Sequence, residues 1–330
     1  MTMTIGNLLR REAAVRRLRP LVVAVTIATI IGVSADGALR QVHAETLRVV
    51  TSTEDLAAIA REIGGDLVEV DALARGYQDP HFVDAKPSFL VKLSKADLFV
   101  QVGRDLEAGW VPALLNNARN SKILPGARGF VDASANIRML EVPTNVSRAQ
   151  GDVHPSGNPH YWLSPANGAT IAETLRDAFT AVMPSRASAF AARCADFETR
   201  LQAKRSEWLA RAKAMGLNGA PVVTYHRSWP YFAAEFGCDV IDFVEPRPGV
   251  PPTPSHIQAL EELISSKGVK LLIVEPYFDV KLPEKVARET GAKLVILPSS
   301  VGARKGIEAY FDLFDAQMSD LEAALAGSDS

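Results

Sequence analysis

From Thr46 onward, short apolar runs alternate with longer stretches whose apolar residues recur every three to four positions. Leu47–Val50, Leu67–Val70, Leu98–Val102 and Gly129–Val131 read as strands. Between them, Glu54–Ile63, Pro87–Leu93 and Trp110–Ala118 read as helices, the first capped by Ser52 or Thr53. The alternation resumes late in the chain. Strands are predicted at Val222–Tyr225, Val240–Val244, Leu271–Val274 and Leu294–Leu297, and helices at Trp229–Phe236, Ser255–Ser266, Lys281–Thr290 and Gly306–Ala326. Strands spaced by helices imply βαβ units and a mainly parallel sheet. Two helical stretches separate the halves, Ala166–Ala181 and Ser185–Met215. The second has no internal proline or glycine, and its apolar residues Phe190, Cys194, Phe197, Leu201 and Trp208 recur near helical spacing. About thirty helical residues span about 45 Å, enough to run the height of two stacked lobes. The expected fold is α/β: two lobes, each with a mainly parallel four-stranded sheet flanked by helices, joined by one long connecting helix.

Residues 1–44 do not fit this alternation. Arg10, Arg11, Arg16, Arg17 and Arg19 form a basic stretch, an apolar run follows from Leu21 to about Ala35, and Val42-His43-Ala44 resembles a cleavage site. The run is short for a membrane span, which needs about 20 residues. A cleaved signal peptide and export to a periplasm are therefore expected, with an uncleaved anchor as the alternative. No cysteine follows the run to carry a lipid. Its removal takes away six arginines and two acids, moving the formal charge from −2 to about −6. With no basic stripe, nucleic acid is excluded as a partner. The expected organisation is a signal peptide at 1–44, an N-terminal α/β lobe at 45–184, the connecting helix at 185–216 and a C-terminal α/β lobe at 217–330. Cys194 and Cys238 fall in different elements without CxxC spacing, and two free buried thiols are expected.

The candidate chemistry lies in three stiffened loops. Asn158-Pro159-His160 and Asp79-Pro80-His81 each present a histidine behind a proline, which fixes its own φ and restrains the residue before it. The Tyr161-Trp162-Leu163 wedge anchors the first of these loops. His226 closes the run Val222–Tyr225. In open α/β sheets ligands bind beyond the carboxyl ends of the strands. His226, Glu245, Glu275 and Ser299-Ser300 all follow strands of the second half, so they face one edge of its sheet, with His81 and His160 reaching them from the first half. Neutral imidazole binds zinc at about 2.0–2.1 Å, and zinc prefers four nitrogen, sulfur or carboxylate ligands, whereas manganese wants more oxygen. The candidate metal ligands are His81, His160, His226 and Glu275. Asp79 is a candidate to orient His81. Binding requires deprotonated imidazoles, so uptake should weaken below pH about 6.5. Taken singly, a histidine beside proline is more often a hydrogen-bonded loop residue, and Glu275 before Pro276 could equally cap or salt-bridge. Tyr161 and Trp162 read as core plugs, and His154 and His256 as solvated residues.

These residues resemble the zinc/manganese-type solute-binding proteins of bacterial metal ABC transporters. The resemblance rests on Asp79-Pro80-His81, Pro87-Ser88, Ala96-Asp97-Leu98-Phe99-Val100 with Gly103, Leu106-Glu107, Asn158 through Pro165, Tyr225-His226 with Trp229-Pro230-Tyr231-Phe232, and Glu289-Thr290-Gly291-Ala292. It covers essentially all of the chain after the leader. It implies two α/β lobes joined by one long helix with the metal between them, and gives His81, His160 and His226 the first three ligand roles. A histidine at the third position resembles the zinc-uptake branch. Two departures stand out. Ser299 or Ser300 takes the place where many relatives carry an aspartate ligand, so Glu275, Glu245 or a water must complete the shell. The loop between the first two ligands offers only His154 where relatives often have many histidines.

The expected function is a periplasmic metal-ion receptor of an ABC importer, not an enzyme. It would bind Zn²⁺, with Mn²⁺ the lesser candidate, as a monomer, and pass it to a permease in the inner membrane. The alternatives are a secreted zinc-dependent hydrolase, a siderophore or corrinoid receptor, and a metal-binding adhesin. Against the hydrolase, the chain has no HExxH and no nucleophile elbow.

Overall fold

Eight strands and nine α-helices make up the described part of the chain, residues 46–144, 154–247 and 249–326 of a computed structural model. The leader assigned to residues 1–44 lies outside the described residues. The first sheet contains β1 (Leu47–Thr51), β2 (Val68–Ala72), β3 (Leu98–Gln101) and β4 (Phe130–Asp132), all parallel, in the order β2-β1-β3-β4. The second contains β5 (Pro221–Thr224), β6 (Asp239–Phe243), β7 (Leu271–Val274) and β8 (Lys293–Ile296), also parallel, in the order β6-β5-β7-β8. The two sheets share one topology. In both, the central strands are apolar without alternation, as for Leu98-Phe99-Val100 and Leu271 to Val274, all buried. That is the composition required of strands covered on both faces.

The covering layers follow from the helices. In the first half these are α1 (Glu54–Gly64), α2 (Pro87–Lys95), α3 (Val111–Asn117) and α4 (Pro165–Val182). In the second they are α6 (Pro230–Phe236), α7 (Pro254–Lys267), α8 (Lys281–Thr290) and α9 (Tyr310–Ala326). Between them runs α5 (Ala187–Ala214), 28 residues long, entered through a 3₁₀ turn at Pro184–Arg186. Phe89, Leu93, Trp110 and Leu114 pack on the outer face of the first sheet, and Ile257, Leu260, Ile264 and Val286 on that of the second. The inner faces of both sheets share one core with α1, α4, α5, α6 and α9. All five predicted inward positions of α5 are buried. Its flanks tie both halves. Arg200 pairs with Glu62 of α1, whereas Lys204 pairs with Asp315 of α9 at 2.8 Å and Arg211 with Glu322 at 2.8 Å.

The last helix starts at Tyr310 rather than at Gly306. Gly306 sits at φ +87°, and the Asp312 carboxylate accepts the Glu308 and Ala309 amides, capping a helix that begins later. Cys194 and Cys238 are both buried and unpaired, and burial pushes each thiol up to about 12. Among the described residues, no helix is long and apolar enough to cross a membrane.

Candidate metal centre

Every candidate residue lies beyond the carboxyl end of a strand. His81 follows β2, His160 follows β4, His226 follows β5, and Glu245, Glu275 and Ser299 follow β6, β7 and β8. The two proline loops prove to be one device used twice. Asp79 Oδ1 accepts both the His81 backbone amide at 2.9 Å and the His81 ring Nδ1 at 2.7 Å. Asn158 Oδ1 does the same for the His160 amide and ring Nδ1, both at 3.0 Å. The intervening proline fixes φ, so a side-chain oxygen two residues back can hold amide and ring together. Each loop is anchored from outside. Trp110 Nε1 donates to the Pro80 carbonyl, and Asn158 Nδ2 donates to the Arg227 carbonyl across the gap between halves. The wedge behind His160 is buried, with Tyr161 hydroxyl on the Val102 carbonyl and Trp162 Nε1 on the Ser299 carbonyl.

His226 reaches the same state by another route. Its Nδ1 lies 2.7 Å from Glu245 Oε2, and the other Glu245 oxygen accepts the Gly249 amide at 2.9 Å. Asp79 as a carboxylate, Glu245 and the Asn158 carbonyl present only acceptors to the rings, which assigns the proton to Nδ1 in all three and leaves Nε2 as a lone pair. One ring nitrogen from each of His81, His160 and His226 lies within 4.8 Å of the other two. The ring centroids are 5.2 to 5.6 Å apart. His160 Nε2 is buried and has no hydrogen-bond partner. Three converging imidazoles, two of them buried and one half-buried, make an arrangement that a cation completes.

Electrostatics favours the donor state. Burial holds His160 well below the ordinary imidazole value, reinforced by repulsion from His81, His226 and His154. Burial also lowers His226, against the opposing pull of Glu245. These rings are therefore neutral at pH 7. Burial pushes Asp79 up, but the hydrogen bonds it accepts from the His81 ring and backbone outweigh it, so Asp79 stays below the usual carboxylate range.

The remaining candidates divide. Glu275 is fully buried with Oε1 accepting Trp229 Nε1 at 3.0 Å, and it is not in the converging group. Burial raises it to about 8. Glu245 stands behind His226. Ser300 spends its hydroxyl on Asp55, and His256 bonds the Phe243 carbonyl. His154, expected to be solvated, instead lies against His81 with the two Nε2 atoms 3.2 Å apart. The orienting roles of Asn158 and Glu245 were also missed. The first was readable, since N-P-H repeats D-P-H with an oxygen at the same offset; the second depends on sheet neighbours and left no local mark. A cavity of about 480 Å³ lined by His81, Phe82, Asp105, Trp110 and His154 abuts the site.

The profile of the family described as ZnuA, zinc-uptake complex component A, periplasmic, matches residues 49–324. The chain belongs to this family. Among its relatives is the zinc-binding lipoprotein AdcA of Streptococcus pneumoniae serotype 4, 24% identical over 258 residues, covering 76% of this chain and 49% of AdcA. The chain thus spans about half the length of that relative. The high-affinity zinc uptake system protein ZnuA of Haemophilus ducreyi is 26% identical, covering 74% of this chain and 82% of its own length. In fold, a crystal structure of ZnuA superposes with a TM-score of 0.70 at 24% identity, covering 84% of this chain and 99% of that one. A manganese-bound periplasmic metal-binding protein from Candidatus Liberibacter asiaticus gives 0.69 at 21% identity, covering 84% and 98%. The two-lobed architecture expected from the sequence is thus the family's.

Proposed function

We propose that this protein is the extracytoplasmic receptor of a zinc importer, capturing Zn²⁺ on His81, His160 and His226 and handing it to an ABC permease. The observation that carries this reading is the convergence of three imidazoles whose Nδ1 atoms are all occupied by oxygen acceptors, so that three Nε2 lone pairs point at one space. Three nitrogen donors favour zinc over manganese, which prefers oxygen-rich sites. Family membership supports uptake as the purpose, and it also favours a receptor over a hydrolase. Glu275, bonded to Trp229 and outside the converging group, is a buried neighbour of the site in this reading.

Calorimetric titration of the metal-free protein with Zn²⁺ and Mn²⁺ tests this. One zinc per chain is expected, with severe weakening in His160→Ala and little change in Glu275→Gln. Zinc binding that survives His160→Ala unaltered would remove the site from consideration. Turnover of esters or peptides by the zinc-loaded protein would favour the hydrolase instead.

A further inference from the structure

We infer that Glu141 is a positioning residue for the metal centre: its carboxylate spans from the His160 loop to the His226 loop and, through Asn158 and Arg227, holds the two imidazoles in register. This rests on the zinc reading above and adds to it a residue that stands behind the ligands.

The loop after β4 lies along the turn that carries His160. Asn158 donates its backbone amide to the Leu140 carbonyl at 2.9 Å. Gly157, at φ +101°, makes room for this approach, since a Cβ there would sit 2.9 Å from Met139 Cβ and 3.2 Å from the Leu140 carbonyl oxygen. The second half of the molecule grips the same place. On α6, the Tyr231 hydroxyl accepts the Leu140 amide at 3.0 Å and donates to the Asn158 carbonyl at 2.9 Å. A backbone amide always donates, so the Asn158 atom facing the His160 amide must be Oδ1, and Nδ2 points the other way. There Nδ2 donates to Glu141 Oε2 at 2.9 Å and to the Arg227 carbonyl at 2.7 Å. An amide nitrogen has two hydrogens to donate, and both are spent.

Glu141 completes this arrangement from a strained backbone. Its φ of +52° is sparsely populated for a residue that carries a Cβ. From that conformation one carboxylate oxygen reaches Asn158 and the other comes within 3.5 Å of Arg227 Nη1. The Arg227 guanidinium lies over the Phe243 ring at 4.1 Å, and Arg227 directly follows His226. The carboxylate therefore touches the residue two before one ligand and the residue next to another. Exposure decides which contact matters. The Arg227 and Glu141 side chains are 43% and 36% exposed, and an ion pair that open to water contributes little. Asn158, by contrast, is buried, and an amide hydrogen deprived of its acceptor there frees the side chain to turn from His160. Strain at an acid on the surface is accounted for if the acid supplies that acceptor.

The test is competition titration with Zn²⁺, paired with thermal melting of the metal-free protein, for wild type, Glu141→Ala, Glu141→Gly, Glu141→Gln and His160→Ala. Zinc affinity should fall about three- to tenfold in the alanine and glycine variants, the worth of one hydrogen bond. Glutamine keeps an oxygen for Asn158 and loses only the charge, so Glu141→Gln should recover most of that loss. Glycine adopts a φ of +52° without strain, so Glu141→Gly should weaken zinc as much as Glu141→Ala while melting no lower than it. A merely structural role would instead make affinity follow the melting temperature. Unaltered affinity in both the alanine and glycine variants, or a loss in Glu141→Gln as deep as in Glu141→Ala, would overturn the inference; with His160→Ala still severely weakened, the three-histidine site would stand. Zinc binding unaltered in His160→Ala would overturn the underlying reading instead.

Discussion

Replacing Glu245 by glutamine separates orientation from ligation, because it keeps the size of the side chain and changes only what its two ends can accept. In the native protein one carboxylate oxygen takes the His226 Nδ1 proton at 2.7 Å and the other takes the Gly249 amide at 2.9 Å, with the residue 8% exposed. A glutamine cannot do both. With its oxygen on His226, its NH₂ opposes the Gly249 amide, and a buried donor left unpaired costs about 1–3 kcal/mol. With its NH₂ on His226, Nδ1 must become the acceptor and the proton moves to Nε2, removing the lone pair that faces the cation. Either outcome lowers zinc affinity, and loss of an outer-shell partner typically costs 10–100-fold, or about 1.4–2.7 kcal/mol. The assay is competition against a chromophoric zinc chelator at pH 7.5 and fixed salt, beside His226→Ala, which should lose more. Glu245 also raises His226 against the effect of burial, so wild type meets more proton competition at His226 than the variant does. The gap between the two should narrow as pH falls. A dissociation constant unchanged within twofold would refute the claim that Glu245 sets the tautomer of His226.

Two further outcomes are expected. In metal-free protein, Glu275→Gln should gain stability relative to wild type as pH rises from about 5 to 9. Burial raises the native carboxyl to about 8 from an ordinary value of 4.5, so the stability it contributes is present below 4.5 and lost as pH rises through 8; parallel melting curves of the two proteins across that range would contradict this. Gly168→Ala should lower the melting temperature even though alanine is the better helix former by about 1 kcal/mol. An added Cβ would sit 2.5 Å from the Tyr310 ring, and Tyr310 is fully buried with its hydroxyl on the Trp162 carbonyl, so overpacking of about 1–3 kcal/mol outweighs the propensity gain. A raised melting temperature would show that α4 moves aside freely.

The sequence carried most of the fold because strands buried on both faces and helices buried on one leave different periods, and the Leu271–Val274 strand is read residue for residue. It misplaced the start of α9, where the deciding group, the Asp312 carboxylate, acts backwards from inside the helix. Of the candidate site, the three histidines that the fold brings together were legible from stiff loops and strand ends. The imidazole backs were legible only in part. Asp79 lies two residues from its ring, whereas Glu245 lies nineteen residues from His226, past the end of a neighbouring strand. His154 was read as solvated because nothing local restrains it. Its neighbour His81 comes from another loop, and only tertiary structure sets the two rings together.

On the proposed receptor reading, release of the ion comes from loops and not from parting the lobes, because the lobes share what would have to be torn open. The inner core runs without interruption from Val49 and Val100 of the first sheet through α5 to Leu271 and Ile273 of the second. Polar ties cross beside it. Asp55 of α1 accepts the Ser300 hydroxyl and the Val301 amide, Tyr310 bonds the Trp162 carbonyl, and the Tyr231 hydroxyl donates to the Asn158 carbonyl. Opening a hinge that exposed only about 400 Å² of this apolar surface would cost on the order of 10 kcal/mol at 25 cal/mol/Å². Moving a two-state equilibrium from 1:99 to 99:1 takes about 5.5 kcal/mol of differential binding, so the ion would have to supply nearly twice that. The His81 loop can move without breaking the core, since it is fixed by Trp110 on the Pro80 carbonyl and by the Asp79 turn. Small-angle scattering should therefore give the same radius of gyration with and without zinc. Hydrogen exchange should differ in the Asp79–His81 and Asn158–His160 loops and remain unchanged in α5. A radius that grows on metal removal, or faster exchange in the middle of α5, would show that the shared core parts after all.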